Sequence, residues 1–254
     1  MSTKSILAVT DLSARENMAV HRAAQLAGTH RATIKLMYVP APGQAAHPAA
    51  ASRLANAASE LEDSLGLRVR TAAVKAHTLE HLTTEARGVD LVVLPHRHER
   101  TTAAFFRGQP VLRLLRRCGC PVLVARQVRG EHYKRILVAV GLSGPSEDLV
   151  KLAGNFDPRA EVEIVHAIGT LDESILRQQE HSGADLVVVG KKRSSAWEDF
   201  FHGSVAHRVL SWGASDVLVV PEAYLEATAP LAARRTRRAG KPGLAMRTAS
   251  RRAS

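Results

Sequence analysis

Ile6-Leu7-Ala8-Val9-Thr10-Asp11-Leu12-Ser13 returns 130 residues later as Ile136-Leu137-Val138-Ala139-Val140-Gly141-Leu142-Ser143. Further along, Asp90-Leu91-Val92-Val93-Leu94-Pro95 returns as Asp185-Leu186-Val187-Val188-Val189-Gly190, and Pro121-Val122-Leu123-Val124 as Asp216-Val217-Leu218-Val219. These later pairs share an offset of 95. Three matches in the same order mark a tandem duplication. The fall in offset from 130 to 95 means that the second copy lacks 35 residues between its first and later matched segments.

The matched segments are short apolar runs rich in Val, Ile and Leu, which suit parallel strands buried on both faces. Helix-period stretches lie between them. Ser13 to Glu16 has capping-box spacing, followed by Ala19, Ala23, Ala24, Leu26 and Ala27 on one face. Further helices are expected at 49–65, ending at Gly66, at 78–87 and at 110–117. The first copy is thus expected to have strands at 5–10, 33–39, 67–74, 90–94 and 121–125. The second has strands at 135–140, 161–167, 185–189 and 216–220, with helices at 172–182 and 204–212. Alternating strands and helices imply a doubly wound, Rossmann-like parallel sheet in each copy. The missing 35 residues correspond to the second helix and the outer edge strand, leaving an edge that something else would cover.

The formal charge of +11 is unevenly distributed. Residues 1–130 carry a net of +9, residues 131–226 a net of −6, and residues 227–254 a net of +8 with no acidic side chain. This divides the chain into two α/β domains, 1–130 and a shortened 131–226, and a basic tail with no apolar period, expected to be disordered. A uniformly basic nucleic-acid binder would not show such a division. The apolar runs fall short of the ~20 residues that a membrane span needs. Met1 to Thr10 lacks the pattern of a secretory signal, and two cysteines in 254 residues suit a reducing compartment. The expectation is a soluble, cytoplasmic protein.

The repeat resembles the universal stress protein family in a tandem, two-domain form, over about residues 4–221. The resemblance rests on Ile6 to Ser13, on Leu36-Met37-Tyr38-Val39 and Ile164-Val165-His166-Ala167, and on the runs after Asp90 and Asp185. Its most specific part is Gly203-Ser204-Val205-Ala206-His207-Arg208-Val209-Leu210 leading into Asp216 to Pro221. It implies a nucleotide-binding α/β layer whose members pair through their last strands, a pairing that a tandem chain can satisfy internally as a pseudo-dimer.

The resemblance also implies ATP or another adenine nucleotide as ligand, held by a loop Gly-x2-Gly-x9-Gly-[Ser/Thr]. Such glycines let backbone N–H groups approach phosphate at a helix start. The first copy has Pro95, His98, Gly108 and Gln109 at the four positions, whereas the second has Gly190, Arg193, Gly203 and Ser204. The family's adenine-side Asp is Asp11 in the first copy and Gly141 in the second. Each copy keeps the half that the other lost. The site implied by the resemblance comprises Asp11, Gly141, Ala167, Gly190, Arg193, Gly203 and Ser204. Arg193 can replace lost backbone contacts, since a guanidinium binds phosphate bidentately. The plainer alternative is that Ser204 simply caps a helix.

Other constellations read as structural. His77 and His81 have metal-ligand spacing without a third ligand. His96 and His98 sit in a basic loop, and His166 ends a strand. Cys118-Gly119-Cys120 matches no metal or thioredoxin-type motif. No catalytic or metal site is expected. The tail around Arg234-Arg235-Thr236-Arg237-Arg238 has three readings: a salt-dependent nucleic-acid contact, a contact with the acidic second copy, or a solvated extension. The function expected is a stress-response regulator or sensor, not an enzyme. Its alternatives are a nucleotide-free scaffold for an unidentified protein partner and a nucleic-acid-associated stress protein, and tandem chains can pair further as a homo-dimer.

Overall fold

The computed structural model describes residues 3–13, 17–40, 45–74, 79–96, 118–126, 130, 132–140, 146–166, 178–191 and 215–228. The repeated apolar runs all form strands. The first five are β1 (Ser5–Thr10), β2 (Thr33–Tyr38), β3 (Val69–Thr71), β4 (Leu91–Pro95) and β5 (Val122–Ala125). The last four are β6 (Arg135–Val140), β7 (Glu161–His166), β8 (Leu186–Lys191) and β9 (Asp216–Pro221). They make one nine-stranded sheet in the order β3-β2-β1-β4-β5-β9-β8-β6-β7. Pairing is parallel within β1–β5 and within β6–β9, and antiparallel only where β5 meets β9.

The β5–β9 register explains why two copies fuse into one sheet. Leu123 pairs with Leu218, its counterpart at the offset of 95, and Val122 and Val124 pair with Val219 and Val217. Matching residues therefore face each other about a pseudo-two-fold, as in a self-complementary dimer interface. The expected internal pseudo-dimer is observed, as a continuous sheet.

Both faces of the sheet are buried along the apolar runs of β1, β4, β5, β6, β8 and β9, which is why these strands show no polar alternation. Ile6 and Ala8 share one core with α1 (Asn17–His30), α2 (Ala50–Leu65) and α4 (Ser146–Phe156). Leu7 and Val9 share the other with α3 (Leu79–Ala86), Cys118 and Cys120. Residues 178–182 are also helical. Gly66 ends α2 in the left-handed region at φ 62°, its N–H bonded to Glu62 O at 2.9 Å.

Some boundaries differ from expectation. Strand β3 is three residues long, not eight, because it pairs only with Ile34, Lys35 and Leu36 at the sheet edge. Strands β4 and β8 begin after Asp90 and Asp185, whose N–H groups still bond to Ser5 O (3.0 Å) and Arg135 O (2.9 Å) while their carboxylates cap the neighbouring chain. Asp90 Oδ2 accepts the N–H groups of Lys4 (2.8 Å) and Ser5 (3.0 Å). Asp185 Oδ2 accepts those of Lys134 (2.8 Å) and Arg135 (3.2 Å). A short helix, α5 (Glu222–Thr228), follows β9 and was not anticipated; Leu225 anchors it in the core. The expected helices at 110–117 and 204–212, and residues 14–16 of the expected cap, lie outside the described residues.

The shortened copy leaves β7 at the sheet edge. By register, Ile164 matches Leu36 of β2. Leu36 is 0% exposed, with β3 beside it and α2 on its core face, whereas Ile164 is 50% exposed.

A buried polar cluster ties the halves together. Asp216, 2% exposed, accepts Arg22 Nε at 3.0 Å and Tyr133 Oη at 2.7 Å on Oδ2, and the Arg126 N–H at 2.7 Å on Oδ1. The Arg22 guanidinium also lies 4.4 Å from the Tyr133 ring centroid, a cation–π contact. Burial, opposed by the Asp216 charge, pulls the Arg126 guanidinium down to about 10, so it stays charged at neutral pH. Burial and the same carboxylate hold the Tyr133 phenol protonated well above its ordinary range. Removing one partner of a buried pair strands the other's charge, at a cost of about 3–5 kcal/mol. Asp216→Ala is therefore expected to lower unfolding stability by about that amount, measured by urea denaturation. An unchanged midpoint would show that the cluster does not hold the halves.

Candidate functional site

In an open α/β sheet the binding crevice forms outside the carboxyl ends of adjacent strands whose connections diverge. That point falls at β1/β4 in the N-terminal half and at β6/β8 in the C-terminal half.

At β1/β4 the loop after β1 is wound tightly. Thr10 O accepts the Val39 N–H at 2.8 Å, and Thr10 Oγ1 accepts that of Leu12 at 2.9 Å. Leu12 adopts φ 63°, an uncommon conformation for a branched side chain. Asp11 Oδ1 accepts the Ser13 N–H at 2.8 Å, an Asx-turn bond that commits this oxygen to the loop. Arg53 Nη2 of α2 reaches over to donate to Leu12 O at 2.9 Å. On the β4 side, Pro95 is buried and supplies no N–H, and His96 N–H is engaged by Ala125 O at 2.7 Å. His98, Gly108 and Gln109 lie outside the described residues.

At β6/β8 the corresponding strand end is Gly190, exposed and paired with Val220 of β9. A Cβ built there would sit 3.4 Å from Leu149 Cδ2 of α4, an ordinary van der Waals contact, so packing alone does not demand the glycine. Of the expected site residues, Asp11 and Gly190 are described, and Gly141, Ala167, Arg193, Gly203 and Ser204 lie outside the described residues. The two that are described do not meet. Three strands, β4, β5 and β9, separate β1 from β8, which run in opposite directions, so Asp11 and Gly190 belong to different crevices.

Other candidates take structural places. His81 Nε2 lies 4.0 Å from Glu85 Oε1, and Glu85 also pairs with Lys35. Among the described residues no group of three His, Cys, Asp or Glu side chains could hold a metal; His77 is not among them. Cys118 and Cys120 are buried thiols outside any disulfide, and Cys120 Sγ donates to Ala86 O at 3.5 Å. A hydrogen bond with Cys118, then burial, push the Cys120 thiol far above its ordinary range. The polar residues that sequence reading missed are Arg22, Tyr133 and Asp216. The available signal was Arg22, a charge within the apolar stripe of Ala19, Ala23 and Leu26.

A sequence model described as the universal stress protein family matches residues 2–126 and 155–221. The chain belongs to the universal stress protein family. Solved structures share the fold over most of its length. A functionally unknown protein from Pseudomonas aeruginosa PAO1 is 20% identical, with a TM-score of 0.70, over 88% of this chain and 94% of that one. A universal stress protein from Archaeoglobus fulgidus is 14% identical, with a TM-score of 0.62, over 86% and 96%. A universal stress protein solved in complex with cAMP matches only about half of this chain: it is 20% identical, with a TM-score of 0.40, over 49% of this chain and 98% of that one. No curated protein matches at the sequence level. Among the described residues of this universal stress protein, no helix is long and apolar enough to cross a membrane.

Because the thiolate is the reactive form, a buried thiol held protonated is inert. Cys118 and Cys120 of the native protein are expected to resist a thiol-specific reagent at pH 8 and to react on denaturation. Rapid labelling of the folded protein, read by mass spectrometry, would contradict this.

Proposed function

We propose that this universal stress protein is a stress-response regulatory protein that binds an adenine nucleotide, ATP first, through the β6/β8 crevice and turns over no substrate. The observation that carries the reading is Gly190: an exposed glycine at the strand end of a crevice, where the other copy has the buried Pro95. Backbone without a side chain can approach phosphate closely, and a proline cannot donate to it. Gly203 and Ser204 would complete the phosphate contacts with Arg193, and Gly141 and Ala167 would face the base. Asp11, in the other crevice, would take no part. The division into domains 1–130 and 131–226 with a basic tail at 227–254 and a cytoplasmic location belong to the same reading.

A ligand at about 100 times its dissociation constant stabilises the native state by roughly 2.7 kcal/mol. For a chain of this size that is a rise of about 5–10 °C in Tm. ATP is expected to produce such a rise, and Gly190→Val, which drives a branched side chain towards Leu149, to abolish it while remaining folded by circular dichroism. No shift with the unmodified protein, together with no nucleotide released on denaturing freshly purified material, would refute nucleotide binding.

A second reading is a nucleotide-free scaffold, favoured by the β7 edge, where Ile164 is 50% exposed.

A further inference from the structure

A separate cleft lies away from both the β1/β4 and the β6/β8 crevices. It has a volume of about 790 Å³, within the usual range for small-molecule sites. One wall is the outer stripe of α1, where His21, Gln25, Gly28 and Thr29 recur at helical spacing, ending at Arg31. The other is the turn Asp157-Pro158-Arg159 before β7, with His132, and Leu65 and Leu67 supply an apolar part. Each half contributes residues preceding its strands β2 and β7, the end opposite its own crevice.

Three features point to a ligand. Arg31 stands at φ 53° just past the end of α1, where the bond from Ala32 N–H to Ala27 O (2.9 Å) closes the helix. Gly66 and Gly183 occupy the same left-handed conformation, both at φ 62°, with 5→1 bonds to Glu62 O and Gln179 O (each 2.9 Å). The fold thus accepts glycine at such a position and carries a strained arginine here. Among the described residues, no carboxylate pairs with the exposed Arg31 guanidinium.

The second feature is how Arg159 is held. Its Nη1 lies 2.6 Å from His132 Nε2. A guanidinium has only donors, so Nε2 accepts, which places the imidazole proton on Nδ1, 3.5 Å from Asp157 Oδ2. Asp157 is itself fixed, accepting the N–H groups of Tyr133 (2.9 Å) and Arg159 (3.2 Å). The guanidinium is thus oriented by the imidazole, and among the described residues no carboxylate contacts it. The third feature is Gly28, a helix-interior glycine whose Cβ would meet nothing within 4 Å. Packing does not demand it, and its absent side chain leaves the cleft open. Cations often compensate the negative ends of helices. Here carbonyls at those ends are already served: Phe156 O lies 2.9 Å from His30 Nε2, and Asp157 O accepts the Ala160 N–H at 3.1 Å.

We infer that this cleft is a binding site for a phosphomonoester carrying a flat or apolar body. Two guanidiniums match a dianion whose oxygens can be approached from more than one side. Leu65, 56% exposed, and Leu67 receive the body. The site is independent of the nucleotide reading, because its residues lie on other elements.

Phenyl phosphate and inorganic phosphate, titrated into the full chain and followed by NMR, test it. Phenyl phosphate is expected to shift the Thr29, Arg31 and Arg159 amides and both arginine Nε signals, and to bind more tightly than inorganic phosphate. Arg31→Gly and Arg159→Gln should each weaken binding by about tenfold, the scale of a lost charge-assisted hydrogen bond. Arg31→Gly should at the same time raise Tm, since glycine relieves the φ strain; loss of binding in a more stable protein cannot come from misfolding. Absence of shifts at these residues at millimolar ligand overturns the site, as does unchanged affinity in both variants. Equal affinity for the two phosphates overturns the ligand class.

Discussion

Asp216 opens β9 with a carboxylate that water does not reach, and such a charge persists only if neighbouring groups replace its hydration. The replacements come from separated parts of the chain: the Arg22 guanidinium from α1, the Tyr133 hydroxyl from just before β6, and the Arg126 N–H just after β5. Those are an N-terminal helix, the start of the C-terminal half and the beginning of the connection between the halves. Sliding one half past the other would break all these bonds at once, so the cluster locks the register that the β5–β9 pairing sets. That pairing alone spans three residue pairs.

The lock is not symmetric. At the offset of 95, Asp216 corresponds to Pro121, and at the offset of 130, Arg22 corresponds to Leu152. A self-complementary dimer would carry such a pair twice; this chain carries it once. Duplication freed each copy to diverge, and the losses differ. The N-terminal half has Pro95 at its crevice, while the C-terminal half keeps Gly190 there but shows no counterpart of α2 and β3 among its described residues. Among the described residues, one half therefore retains the fuller core and the other an exposed glycine at its strand end.

Much of this was legible because burial on both sides of a sheet leaves a signature in linear order. Ile6–Val9 and Ile136–Val140 are apolar without alternation, and each forms a strand of the expected extent. Asp90 and Asp185 were visible as repeat markers, but not as hydrogen-bond acceptors for the strands beside them, since their partners lie 85 and 50 residues away. Strand β3 was overestimated because Leu67 to Val74 has strand composition, while its pairing length is set by a neighbour. Helix α5 was missed because Glu222 to Thr228 is too short for a period to emerge, and only Leu225, with Tyr224 half-buried beside it, packs on the core.

For the candidate sites the same division holds. The spacing that marks Gly190, and its contrast with Pro95, are local and can be read along the chain. Whether Asp11 could serve with Gly190 is a question of distance in space, and the antiparallel junction answers it by pointing the two strand ends in opposite directions. The cleft of Arg31 and Arg159 left no trace in linear order, because its walls are more than 100 residues apart. Periodicity and repeats reflect each residue's own preference for water or core, so they survive in one dimension. Pairing of charges, register and the meeting of two surfaces depend on which remote residues become neighbours, and that is settled only when the two halves close into one sheet.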